Sequence, residues 1–232
     1  MGSRGVGQVR ELFTDARLVA TRDLRIEARS RVLLNQVAPF ALLVLVLFGF
    51  ALDADQRTLR TFAPGLFWVT VLLAALLAVQ RSASIEHADD AHTGLRLSGM
   101  AAASVFLGKA AAVFVQLIVL EILLTVGIVV LYGSEVDDPA LLALTAVAAA
   151  VGVATTGTLY GALASGLGAR ETLLPILLLP VLAPVLIGAT RSFDDALGAA
   201  AVDGWAWLGL LAVFGLVATA LGALAHGAMI ED

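Results

Sequence analysis

The stretch AAASVFLGKAAAVFVQLIVLEILLTVGIVVL, residues 101–131, decides how the whole chain is read. Its only charges are Lys109 and Glu121. A hydrocarbon layer about 30 Å thick is crossed by about 20 helical residues. This run is longer, so its first turns are expected to reach into the interface or to tilt. Working outward, the same signature recurs at residues 32–52, 62–80, 140–163, 173–190 and 205–225. Charged residues make up 14% of the 232 and hydrophobic ones 60%. An ordinary soluble domain has about 25% charged residues, so too few are present here to coat a soluble globule. The reading is an all-α integral membrane protein with six transmembrane helices and no soluble domain large enough to act alone.

The spans carry distinctive local chemistry. Pro64, in the Ala63-Pro64-Gly65 run, is expected in the first turn of the second helix, where its missing N–H costs little. The fifth span contains Pro175, Pro180 and Pro184, tolerable in a membrane where neighbouring groups satisfy the freed carbonyls. Gly157, Gly161 and Ser165 repeat at four-residue spacing, which lets helix backbones approach closely. Thr155, Thr156 and Thr158 add hydroxyls there. This face packs either within one chain or between two copies. Trp205 and Trp207 are expected to anchor the start of the sixth span at the interface.

Residues 1–31 differ from the rest. They hold Arg4, Arg10, Arg17, Arg22, Arg25, Arg29 and Arg31 around an apolar stripe of Val9, Leu12, Phe13, Ala16, Val19 and Ala20. That spacing follows one helix face. After a disordered start over residues 1–7, a basic amphipathic helix is expected to lie in the membrane interface beside anionic head groups. Its charged part is too long for a signal peptide. The organisation is thus 1–31 as this interfacial segment and 32–232 as a six-helix transmembrane domain.

Lysine and arginine placement sets the expected orientation. With the N-terminus in the cytoplasm, the inner side holds the seven arginines above plus Arg81, Arg96, Lys109 and Arg170, eleven in all. The outer side holds Arg57, Arg60 and Arg191. The positive-inside rule favours this arrangement, with both termini inside. One inner connection stands out, the polar segment 82–99 with Glu86, His87, Asp89, Asp90, His92, Gly94, Leu95 and Arg96. It reads either as a solvated loop or as a short interfacial helix that docks on a cytoplasmic partner.

Much chemistry is missing. Gly108-Lys109 is followed by Ala110, and Ala103 stands where a phosphate loop needs glycine, so no Walker A motif is present. Neither a Gly-x-Ser-x-Gly elbow nor a His-Glu-x-x-His helix occurs. The chain has no cysteine, which excludes disulfides and thiolate sites. His87 and His92 are five residues apart and read as loop residues rather than metal ligands. His226 reads as an interfacial residue. No catalytic, cofactor-binding or metal site is expected. Glu121, placed near mid-span, marks either a functional pathway or a carboxyl used for helix packing. Lys109 can snorkel to the boundary.

Several segments together resemble the CcmB family, permease subunits of the cytochrome c maturation ABC transporter. They are the basic amphipathic start, the run from Phe62 through Pro64, Gly65, Trp68 and Val69 to Arg81, and the polar segment with Asp89, Asp90, Gly94 and Leu95. The Leu174-Pro175-Ile176 to Pro180 and Pro184 stretch and Val202-Asp203-Gly204-Trp205 complete the set. The resemblance extends from about residue 8 to 226. It implies an ABC-2-type exporter permease fold in a bacterial inner membrane. It also implies a CcmA-like ATPase subunit, a CcmC-like haem-handling partner, a second permease copy, and no nucleic acid. The ATPase-coupling residues would be Glu86, Asp89, Asp90, Gly94, Leu95 and Arg96. The complex would export haem or release a haem-loaded chaperone, with haem as cargo rather than as a bound cofactor. All three histidines fall on the inner side, so no outward axial haem ligand is expected. Competing readings are a generic ABC-2 exporter of a lipid, drug or glycan, a non-transporting scaffold, and an intramembrane enzyme built on Glu121. The last lacks a second acid, base or metal.

Overall fold

The computed structural model describes residues 2–51, 55–88, 101–164 and 170–231, and every regular element among them is helical. Helix α1 covers Gly2–Ser30. A π-helical turn, Leu33–Val37, leads into α2, Ala38–Ala51. Helices α3 (Gln56–Ala88), α4 (Ala102–Tyr132), α5 (Pro139–Ala164), α6 (Arg170–Ala196) and α7 (Gly204–Glu231) follow. Six segments are long and apolar enough to span a bilayer: Leu33–Ala51, Gln56–Leu77, Ala102–Tyr132, Pro139–Ala164, Pro175–Ala196 and Gly204–Ala225. The chain is an all-α integral membrane protein. Its successive spans alternate in direction, so the bundle has an end that carries α1 and an opposite, far end.

Two helix starts and one helix end differ from the sequence expectation. Helix α3 begins at Gln56, so Pro64 lies two turns inside it rather than in its first turn. The cause is Asp55, whose Oδ1 accepts the Thr58 N–H at 2.9 Å and opens the helix early. Pro64 then leaves the Arg60 carbonyl without its helical donor, close to the far boundary of the bundle. Helix α1 begins at Gly2, where a disordered start was expected. Adding a turn to an existing helix costs far less than nucleating one. Helix α6 runs on to Ala196, so Arg191, Asp194 and Asp195 occupy its last turns instead of a loop. Pro175, Pro180 and Pro184 lie inside α6. Pro180 and Pro184 are exposed on the outer surface, while Leu178, Leu182, Val185, Ala189 and Phe193 face inward and are buried.

Helix α4 is the hub and packs against α1, α2, α3, α5 and α7. Lipid tails are as apolar as leucine, so helices associate through close fit and hydrogen bonds rather than by escape from water. Small residues supply the fit. A Cβ on Gly127 would sit 3.0 Å from Leu45 of α2, and one on Gly222 of α7 would run into the Phe106 ring of α4. Gly157 and Gly161 are buried inside this single chain along with Thr155 and Thr156. Helix α5 packs on α6 and α7, so this small-residue face works within the protomer. Tyr132 closes the α2–α4 contact. Its hydroxyl donates to the Leu45 carbonyl at 2.7 Å, and its ring lies against Gly49. Phe67, Trp68 and Phe193 form an aromatic cluster between α3 and α6, with ring centroids 4.9 to 5.2 Å apart.

The far end is tied by carboxylates. Asp55, Asp138 and Asp203 each accept backbone N–H groups in the first turn of α3, α5 and α7. Asp195 accepts the Gly204 N–H at 2.9 Å. The Thr58 donors hold the Asp55 carboxyl below its ordinary value. Two long-range links join the turns. Arg60 pairs with Glu135 at 2.7 Å, and the Asp137 and Asp138 N–H groups donate to the Ala196 carbonyl. Beneath them Ser192 donates to the Gly204 carbonyl at 3.1 Å and meets Thr145 at 2.6 Å. Trp205 stands half exposed in the first turn of α7.

Removing the Tyr132 hydroxyl tests the α2–α4 contact. Tyr132→Phe is expected to lower stability by about 0.6 kcal/mol, the average for interhelical side-chain bonds in membranes. Gly127→Leu, which must push Leu45 aside, is expected to cost more, about 1–3 kcal/mol. Unfolding in mixed micelles at increasing denaturing detergent measures both.

Candidate functional site

The α1 end holds a close helix contact and an irregular helix joint. Helix α1 turns its Ala16 and Val19 face onto α4, where both are buried. Gly108 makes this possible, since a Cβ there would come within 2.6 Å of both the Ala16 carbonyl oxygen and the Val19 Cβ. One turn further along α1, burial pushes the Asp23 carboxyl above its ordinary value, while Lys109 and then Arg22 pull it back down. The sequence treats Lys109 as a snorkelling residue, but its charge also acts on Asp23.

The joint between α1 and the first span is unusual. Arg31 adopts a left-handed conformation, φ 52°, rare for a residue with a Cβ. Glu27 bridges the bend, its Oε1 accepting the Leu33 N–H at 2.6 Å. The π-helical turn over Leu33–Val37 follows at once, and such turns concentrate at functional positions. Sequence periodicity carries no signal for this joint, because no glycine or proline marks it.

The expected coupling segment, 82–99, begins on the last turns of α3, where the backbone carries Glu86. Asp89, Asp90, Gly94, Leu95 and Arg96 lie outside the described residues. Its two flanks are fixed nonetheless. Helix α3 delivers the segment at Ala88, α4 takes up the chain again at Ala102, and the two helices pack on each other.

Glu121 faces the protein interior. It is 2% exposed, whereas the adjoining Ile122 is 62% exposed on the lipid side. Neither carboxyl oxygen has a hydrogen-bond partner among the described residues. A polar group stripped of water without a partner is costly. Its backbone carbonyl is engaged by the Thr125 hydroxyl at 2.7 Å. Trp68 Nε1, Ser104, Thr156 and Thr158 are likewise buried without partners. No group of three or more metal-ligating side chains occurs among the described residues. The arrangement presents a packed bundle with one orphaned acid and a helix strapped across its hub.

The chain matches the family model described as CcmB protein over residues 15–232. A "Heme exporter protein B" of Haemophilus influenzae is 30% identical over 178 residues, which is 77% of this chain and 80% of that protein. A "Heme exporter protein B" of Pseudomonas aeruginosa is 27% identical over 203 residues, 87% of this chain and 91% of that one. A third, from Bradyrhizobium diazoefficiens, is 30% identical over 148 residues, 64% of this chain and 67% of its own.

Docking of α1 can be tested at Gly108. Gly108→Leu is expected to prise α1 from α4 at a cost of about 1–3 kcal/mol, as overpacking does elsewhere. A cysteine placed at Val19 in this cysteine-free chain should then react with a maleimide many times faster. The folded-state value of Asp23 is raised, so its contribution to docking is present in acid and is lost as pH rises through that value. Taken as a ratio to the rate of the same cysteine in the Gly108→Leu variant, which cancels the thiol's own titration, the maleimide rate should therefore fall as pH drops into the carboxylate range, and Asp23→Asn should remove that dependence of the ratio.

Proposed function

Because the chain belongs to the CcmB protein family, we propose that it is the permease subunit of an ABC transporter for cytochrome c maturation. It couples a separate ATPase subunit to haem export or to release of a haem-loaded chaperone. The observation that carries this reading is the family match along nearly the whole chain, to relatives named for haem export and covered over most of their own length. Two sequence features support the division of labour. The chain has six spans, and it lacks a phosphate-binding loop, so energy comes from another subunit. The orientation is that expected from charge, with the α1 end in the cytoplasm and eleven of the 14 lysines and arginines on that side. The membrane is the bacterial inner membrane.

In this mechanism the 82–99 segment docks on a CcmA-like ATPase. Closure of the ATPase on nucleotide pulls on α3 and α4, the two helices that hold the segment. Helix α4 touches five other helices, so a tilt of α4 repacks the bundle. The prolines of α6 weaken its backbone ladder and let that helix bend as its neighbours move. The far end, tied by its aspartates, passes the change to a CcmC-like partner. Of the two outcomes, chaperone release is favoured by the histidine distribution. His87, His92 and His226 are the only histidines, and the charge-based topology puts all three on the cytoplasmic side, so the outer side offers no imidazole to haem iron.

Three measurements test the reading. Asp90→Arg with Arg96→Glu should abolish co-purification with the ATPase while leaving membrane insertion intact. Retained co-purification, there and after deletion of residues 84–94, would refute docking at this segment. Glu121→Gln should leave expression unchanged and reduce cytochrome c maturation, and Glu121→Leu should raise stability by about 1–3 kcal/mol by removing an unpaired polar group. Full maturation in both variants would reduce Glu121 to a packing residue. Purified permease with and without its ATPase should show no haem Soret band characteristic of axial ligation.

A further inference from the structure

Helix α1 uses only the middle of its apolar stripe to dock on α4. Ala16 and Val19 are buried there, but Phe13 is 64% exposed. Arg10, Phe13 and Arg17 stand at positions i, i+3 and i+7, which lie on one ridge of the helix. Both arginines are exposed, and neither is held in an ion pair among the described residues. The two hydroxyls beside them are already engaged. Thr14 donates to the Arg10 carbonyl at 2.8 Å and Thr21 to the Arg17 carbonyl at 2.7 Å. The ridge therefore offers two guanidinium groups flanking one aromatic ring, neither of them in an ion pair among the described residues.

The height of the ridge limits what can meet it. Helix α1 runs through Arg31 directly into the first span, which opens at Leu33. Its docking point on α4 is Gly108, within two turns of where that span begins at Ala102. The ridge thus lies at the level where the spans leave the hydrocarbon, the level of lipid head groups. An exposed phenylalanine is favourable there, since its ring enters the acyl boundary. Guanidinium forks match phosphate oxygens in a bidentate geometry that lysine cannot reproduce.

We propose that the Arg10–Phe13–Arg17 ridge of α1 is a binding site for the head group of an anionic phospholipid. The two arginines grip its phosphate and Phe13 enters the acyl boundary beside it. The bound lipid presses α1 onto α4 from the side opposite Gly108, so the lipid composition of the leaflet sets how firmly the strap is held. This inference does not depend on what the complex transports.

The test uses the assembled membrane protein. It is extracted from membranes holding phosphatidylglycerol and phosphatidylethanolamine, and the lipids that co-purify are quantified by mass spectrometry. The Arg10→Gln, Arg17→Gln double variant should retain phosphatidylglycerol at least about fivefold less, from the loss of arginines close to an anionic surface. Arg25→Gln with Arg29→Gln, more than two turns further along α1, should retain it as the unaltered protein does. Equal loss in both variants would overturn the proposal in favour of diffuse charge attraction, and no loss in either would overturn it outright. A second arm covers failure of the double variant to insert. A single cysteine at Thr14, labelled with an environment-sensitive dye, is compared in phosphatidylcholine nanodiscs with and without phosphatidylglycerol. A blue shift on adding phosphatidylglycerol is expected. The same shift from inorganic phosphate alone, or a shift only when the ATPase subunit is added, would assign the ridge to a free anion or to a protein contact and overturn the lipid assignment.

Discussion

In a solvent of lipid tails the hydrophobic effect does not pull helices together, so contact must come from how closely two backbones approach. In this protein that constraint converges on α4. Gly127 admits Leu45 of α2, Gly108 admits α1, and Phe106 fills the space left by Gly222 of α7. Each contact is a glycine facing something larger, and each lies on a different side of the hub. The consequence is a bundle in which none of the five helices packed on α4 can shift far without α4 registering it.

The two ends of the bundle use different chemistry. At the far end, aspartates cap the incoming helices and cross-links such as Arg60–Glu135 join adjacent turns. At the α1 end the connections rest on the left-handed Arg31, a π-helical turn and the Glu27 bond to Leu33. A closed, hydrogen-bonded set of turns opposes a strapped and bent one.

How much of this was legible in the sequence follows from what each signal contains. Span number and order were readable, because length and apolar content settle them. Helix starts were less so. Pro64 looked like a first-turn residue until Asp55 was seen to open the helix earlier, and the polar residues Arg191 and Asp194 looked like loop until their ion pair was found on the last turns of α6. The apolar stripe of α1 was legible as a stripe, but periodicity names a face and not its partner. Gly108 therefore drew notice only as half of a failed phosphate motif. The burial of Glu121 was expected from its depth. That both its oxygens lack partners required coordinates. The small-residue face of α5 left two packing modes open, and burial within one chain decided between them.

The aspartate caps bear on how the protein is made. Each acceptor lies within three residues of the donors it satisfies, and Asp195 reaches Gly204 within the same turn. A helical hairpin emerging from the ribosome thus carries its own turn chemistry and enters the bilayer with its first amides already satisfied. Only the ties between hairpins, from Arg60 to Glu135 and from residues 137–138 to Ala196, must wait for the next hairpin to arrive.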